Sequence, residues 1–213
     1  MKIYRVVKKG TGNVLILFDN SETLILSLEI FLKSGLKKND EISENRFSAL
    51  IKENKKFYLK QRAFRLLGRR HHSTFELKQK LFQKNHESEL INDILTELMT
   101  GGYLDDKKFA SVFAEEKLRT KFWGDKKLKS ELIKRGIDSK IISEVLKHFI
   151  SSENKTETAE LLAIKKLDRL KSRKYDLLTL RKKLTTFLMA KGYDYDIIKE
   201  VSDKILGDYF QED

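Results

Sequence analysis

Residues 128–145 read LKSELIKRGIDSKIISEV, and residues 184–201 read LTTFLMAKGYDYDIIKEV. Leu128, Leu132, Gly136, Ile141, Ile142 and Val145 of the first stretch fall in register with Leu184, Leu188, Gly192, Ile197, Ile198 and Val201 of the second. A further copy, residues 77–94, places Leu77, Leu81, Asn85, Leu90, Ile91 and Ile94 at the same offsets. Apolar residues four apart make a stripe along one helix, and the break between stripes is a turn. Asn85, Gly136 and Gly192 stand at that turn. They are residue types that tolerate the positive φ of a left-handed helix cap. Asp138 and Asp194 follow two positions later, where a carboxylate can cap the next helix.

Moving outward, each copy has a third helix upstream. Leu59, Ala63 and Leu67 are spaced i, i+4, i+8, as are Ala110, Ala114 and Leu118, and Ala159, Ala163 and Leu167. Copy three carries a seven-residue extension near Lys171 to Leu177 before it returns to register. Three copies of three helices predict a mainly α protein built from three tandem three-helix modules in an elongated or curved array. The expected divisions are residues 55–105, 106–152 and 153–213.

The first 54 residues differ. Ile3–Val7, Val14–Phe18 and Thr23–Leu28 are β-branched and aliphatic runs, separated by Gly10-Thr11-Gly12-Asn13 and Asp19-Asn20-Ser21. That is strand, turn, strand, turn, strand. The third run can equally continue as a helix through Leu32, and Ser43 is placed to cap a helix through Phe47, Leu50 and Ile51.

Composition narrows the chemistry. The 213 residues contain no cysteine and no proline, and 36% are charged. Thiolate metal sites and disulfides are excluded, and the four histidines are not spaced as zinc ligands. Nothing in the sequence calls for a cofactor. No apolar run approaches the roughly 20 residues of a membrane span, and the start lacks a signal peptide's apolar core, so a cytoplasmic protein is expected. Lysine and arginine outnumber aspartate and glutamate 44 to 32, a net +12. Half of that excess falls within residues 107–155. A basic chain points to a polyanionic partner, although lysine-rich composition by itself raises net charge.

Gly102-Tyr103-Leu104-Asp105-Asp106 links copies one and two. It reads as a helix stop, two apolar anchors and a capping pair; acid–base or Mg²⁺ chemistry is the competing reading, without a nearby histidine, nucleophile or phosphate loop to support it. Ser73-Thr74-Phe75-Glu76 has the form of a capping box. Together with Arg70-His71-His72-Ser73-Thr74-Phe75-Glu76-Leu77, Lys107-Lys108-Phe109-Ala110, the run Gly124 through Leu132, and Lys134-Arg135-Gly136-Ile137, this block resembles the RecX family of bacterial RecA regulators. Phe31 through Ile42 also looks like that family's region before the repeats. Arg70 stands at the first position of the family's Arg-x-Arg-Ser/Thr run and His72 at the second. The resemblance implies a non-enzymatic protein that binds RecA in the groove of its DNA filament and modulates strand exchange and filament stability. Weak direct DNA binding would accompany this, with no membrane partner. A general nucleic-acid-binding helical array is the alternative reading, and an enzyme with an unrecognised carboxylate site a weaker third.

The residues expected to carry binding are basic. Lys117, Arg119, Lys121, Lys126, Lys127 and Lys129 crowd the middle copy, and Arg62, Arg65, Arg69 and Arg70 sit in a stretch from 60 to 72 that lacks any acid. A third cluster runs from Lys165 to Lys183. Lys117 and Lys121 fall on the stripe begun by Phe109 and Phe113, so their stems can pack while their heads reach water, or their heads can be offered to an anionic partner. Trp123 is either a core plug or a stacking platform.

Overall fold

The structure, a computed structural model, describes residues 1–82, 87–149, 152–170, 173 and 175–211, with the backbone alone described at 152–154 and 208–211. Asn85 of the turn register, and Lys171 and Lys174 of the third basic cluster and the copy-three extension, lie outside these residues. The chain forms two units, Met1–His71 with Leu77–Tyr103, and His72–Glu76 with Leu104–Asp213.

In the first unit, β1 (Ile3–Lys9), β2 (Asn13–Phe18) and β3 (Thr23–Ser27) form an antiparallel meander in that order. Val14, Ile16 and Phe18 alternate inward, as a strand's period of two requires. The ambiguous third run resolves at Ser27. Its Oγ accepts from the Ile30 N–H at 3.2 Å and starts α1 (Leu28–Ser34), which stops at Gly35 with φ +69°. Ser43 caps α2 (Glu44–Leu67) by accepting from the Arg46 N–H at 3.2 Å. This helix runs unbroken to Leu67, so the division expected between residues 54 and 55 falls inside it. Leu50 packs with Ile3, Ile16 and Leu26 in the N-terminal core, while Leu59 and Ala63 are buried further along. Asn54 lies between. Its carboxamide accepts from the Ser27 N–H at 2.8 Å and donates to the Ile25 carbonyl at 3.0 Å, bonding α2 to the sheet edge. Next come α3 (Thr74–Phe82) and α4 (Ser88–Thr100), whose Leu77, Leu81, Leu90, Ile91 and Ile94 are all buried.

The second unit holds α5 (Asp106–Lys121), α6 (Asp125–Lys134), α7 (Ser139–Phe149), α8 (Ser152–Asp168), α9 (Leu177–Lys191) and α10 (Tyr195–Gln211). Each triplet has its own core. Ala110, Ala114, Leu128, Leu132, Ile142 and Val145 fill one, and Ala159, Ala163, Leu184, Leu188, Ile198 and Val201 fill the other. Gly136 and Gly192 adopt φ +71° and +93°. A Cβ at Gly136 would overlap the Phe75 ring. Asp138 accepts from the Lys140 N–H at 2.8 Å before α7. The two carboxylates of the linking block cap two different helices. Asp105 accepts from the Lys108 N–H at 2.9 Å to start α5, and Asp106 accepts from the Thr74 N–H at 2.7 Å to start α3. Ser73 Oγ accepts from the Glu76 N–H at 3.1 Å and donates to the Arg135 carbonyl at 2.7 Å. Among the described residues the fold is thus ten helices and one small sheet.

Candidate basic interface

The ten basic residues divide between the units. Arg62, Arg65, Arg69 and Arg70 belong to the first, at and beyond the C-terminal end of α2. Arg62 turns inward. Its Nη2 donates to the Lys80 carbonyl at 2.9 Å, joining α2 to α3, and its Nη1 is shielded from water. Arg70 Nη1 donates to the His71 carbonyl at 2.7 Å. Arg65 and Arg69 point outward and are exposed. His72 is only 3% exposed. Earlier on α2, Lys56 and Lys60 both pair with Glu97, and their ammonium groups hold its carboxyl below the usual carboxylate range.

The six cations of the second unit have different fates. Lys117 is half-buried, with its ammonium paired to Glu116 at 2.7 Å and 5.3 Å from the Phe113 ring centre. Its stem packs and its head snorkels. Lys126 pairs with Asp194 at 2.8 Å. Lys127 donates to the Ala190 carbonyl at 2.8 Å and lies 5.2 Å from the Trp123 ring centre. Arg119, Lys121 and Lys129 are exposed, and among the described residues none of their side chains makes an ion pair.

Lys126 and Lys127 belong to a seam between the two helix triplets. There the Gly124 N–H donates to the Lys191 carbonyl at 2.8 Å, and the Lys126 N–H donates to the Gly192 carbonyl at 3.2 Å. The backbones approach so closely that a Cβ at Gly124 would sit 2.5 Å from the Gly192 oxygen. Phe122 ends α5 in the left-handed region, φ +51°, a conformation rare for a bulky side chain. This places its ring against the core of α8–α10, and its carbonyl accepts from the Tyr193 hydroxyl at 3.3 Å. Burial, then the charge of Asp125, pushes the Tyr193 phenol up to about 12. Lys155 closes the seam with a 2.7 Å pair to Asp125. Trp123 packs edge-on against Phe113, at 6.1 Å between centres, and also lines a small cleft of about 290 Å³ with Arg119 and Lys155. It is a core plug with one side on that cleft.

Sequence reasoning missed Lys155, Lys191 and Tyr193, and read Asp194 only as a helix cap. Their partners lie 30 to 71 positions away, and no local spacing marks such pairs. The available signal was the paired glycine: Gly124 opens α6 where no turn type demands it.

Three family models match the chain: "RecX, first three-helix domain" over residues 60–98, the second three-helix domain over 105–146, and the third over 153–201. The chain is 30% identical over 196 residues to a "Regulatory protein RecX" of Clostridium botulinum, covering 92% of this chain and 91% of that one. It is 29% identical over 207 residues to that of Clostridium perfringens, covering 97% and 96%. Its fold is similar to a crystal structure of regulatory protein RecX, with TM-score 0.73 and 21% identity over 95% of this chain and 98% of that one. It is also similar to RecX from Lactobacillus salivarius, with TM-score 0.61 and 24% identity over 70% and 95%.

Proposed function

Because the chain belongs to the RecX family, we propose that it is a non-enzymatic regulator that binds the RecA recombinase, along the groove of its DNA filament, and modulates recombination and DNA repair in the cytoplasm. The observation that carries this reading is the match, end to end, to proteins named for regulation and built from the same three modules. The chemistry of the linking block supports it. Asp105 and Asp106 serve as helix caps, which leaves their carboxylates with structural work. No described helix is long and apolar enough to cross a membrane.

Arg65, Arg69, Arg119, Lys121 and Lys129 are the cations open to a partner, whether phosphates of the filament's DNA or acidic residues of RecA. Arg62, Lys117 and Lys127 are partly buried, and the exposed Arg70 and Lys126 are already engaged by the His71 carbonyl and Asp194. A RecA strand-exchange assay, run with and without the protein, tests the function. A concentration-dependent change in exchange is expected. Exchange that is identical at saturating protein overturns the proposal. In the same assay, replacing Arg119, Lys121 and Lys129 with glutamine should weaken the effect. If these residues meet phosphates, the slope of log affinity against log salt should flatten by about 0.7–0.9 for each phosphate no longer neutralised.

A further inference from the structure

The third basic cluster takes a form that the other two lack. The end of α8, Arg173 and one face of α9 enclose an open groove of about 720 Å³. Lys166, Arg173, Lys182 and Lys183 line it, and no carboxylate does so among the described residues. Its floor is apolar, made by Leu170, Phe187 and Ala190. Thr179 adds a hydroxyl.

Aromatic rings lie beside these cations, as they do beside Lys117 and Lys127. Lys166 lies 5.4 Å from the centre of the Phe187 ring, and Lys191 lies 5.7 Å from the same ring. Lys183 lies 4.6 Å from the Tyr175 ring. A ring attracts an ammonium through its quadrupole and leaves its net charge intact. An ion pair cancels that charge. The groove therefore keeps its full positive charge in a partly shielded setting. Lys191 lies outside the groove lining and also donates to the Lys121 carbonyl at 2.7 Å, so it belongs to the seam with the middle triplet.

We propose that the α8–α9 groove of the third module binds the phosphodiester backbone of single-stranded DNA directly, with Lys166, Lys182, Lys183 and Arg173 on successive phosphates. The α9 face from Thr179 to Ala190 is about 16 Å long at 1.5 Å per residue, enough for a few nucleotides. The apolar floor accepts sugar and base faces without reading sequence. An acidic peptide would match the charge, but its side chains carry single charges at uneven spacing. The groove instead offers four cations and two threonine hydroxyls around an apolar floor, as a polyanionic backbone carrying apolar bases requires. Binding of this kind does not require RecA.

The test measures binding of the full chain to a fluorescent oligothymidylate without RecA. The triple variant Lys166→Gln, Lys182→Gln, Lys183→Gln should bind at least about tenfold more weakly, and its log–log salt slope should flatten by about two. Lysine-to-arginine changes at the same sites should keep binding. A matched triple variant at the exposed Lys108, Lys140 and Lys147 should bind nearly as the parent does. Unchanged binding by the folded groove variant overturns the assignment, as does an equal loss in the matched variant. Equal affinity for an oligomer with an uncharged backbone overturns it as well, and so does stronger competition by polyglutamate than by unlabelled oligothymidylate. Strand exchange is measured on the same variants. A protein that binds the oligomer through this groove yet leaves exchange untouched retires the RecA reading and keeps the groove. One that alters exchange with no oligomer binding does the reverse.

Discussion

The basic stretch of α5–α6 and the basic face of α9 look alike on paper but differ in how much of their charge meets carboxylates. In the first, Lys117 and Lys126 meet carboxylates and Lys127 meets a backbone carbonyl, with Lys117 and Lys127 also beside the Phe113 and Trp123 rings. In the second, Lys166 and Lys183 meet aromatic rings, Lys191 meets a ring and the Lys121 carbonyl, and Arg181 pairs with Asp203. A cation satisfied by a carboxylate contributes little field outward, while one resting on a ring keeps its field. Counting lysines by window ranks the middle module first, at half of the net charge. Asking instead which cations line one groove with no carboxylate among the described residues favours the third. The lesson is physical: density of charge along a chain measures supply, and the partner type decides what remains.

The most severe challenge to this contrast is to open the seam that uses up the middle module's lysines. Gly192→Val should lower stability by about 3 kcal/mol or more, since it adds left-handed backbone strain to overpacking. Its Cβ would overlap Lys127. Gly207, with nothing near its Cβ position, supplies the control. Denaturant melts of Gly192→Val and Gly207→Ala would settle the matter: a parent-like midpoint for the first would mean that the seam does not hold Lys127 as described. Removing the seam lysines themselves should cost less. Lys126→Gln with Lys127→Gln should lower the midpoint only slightly, because one surface ion pair and one exposed hydrogen bond disappear. Lys182→Gln in the groove should stay within about 0.5 kcal/mol of the parent. Equal losses at the two places would erase the distinction.

The smallest effect is read through pH. Tyr193→Phe removes one long hydrogen bond and should cost about 0.5 kcal/mol at neutral pH. The folded phenol, at about 12, lies above its ordinary 10.0. Its contribution is therefore fully present below pH 10 and is lost as pH climbs from 10 toward 12. Urea midpoints taken across that window should fall more steeply for the parent than for Tyr193→Phe. Parallel curves would show that Tyr193 is not the buried phenol of the seam.

Much of the fold could be read from residues close in the chain. The strand runs, Ser43, Asp105, and the αL turns at Gly136 and Gly192 are local features, governed by dihedral preference and by caps within three residues. The alanine stripes announced which faces pack. The helix at Leu28 was settled by Ser27, whose Oγ turns the chain from strand to helix; hydrophobic periodicity alone does not distinguish the two. The candidate site was less legible. Lys126 finds Asp194, Lys127 finds the Ala190 carbonyl, and Arg62 finds the Lys80 carbonyl only after the helices have packed. Phe122 gave no warning either, since a bulky residue in the left-handed region is tolerated only because its ring gains a place against a neighbouring core.

The unbroken course of α2 governs where the chain can be cut. Twenty-four residues form a single rod, with sheet contacts on its early turns and module contacts on its later ones. There is no hinge within it for a protease to enter, and the two ends share one ladder of hydrogen bonds. Fraying at either end exposes amides that the other end helps to protect, so slow amide exchange should extend through Leu50 and Leu59 as one block. A fragment beginning at residue 55 would discard eleven residues of helix along with the sheet, and with them the anchor that Asn54 supplies. Tolerance of truncation therefore belongs outside this rod.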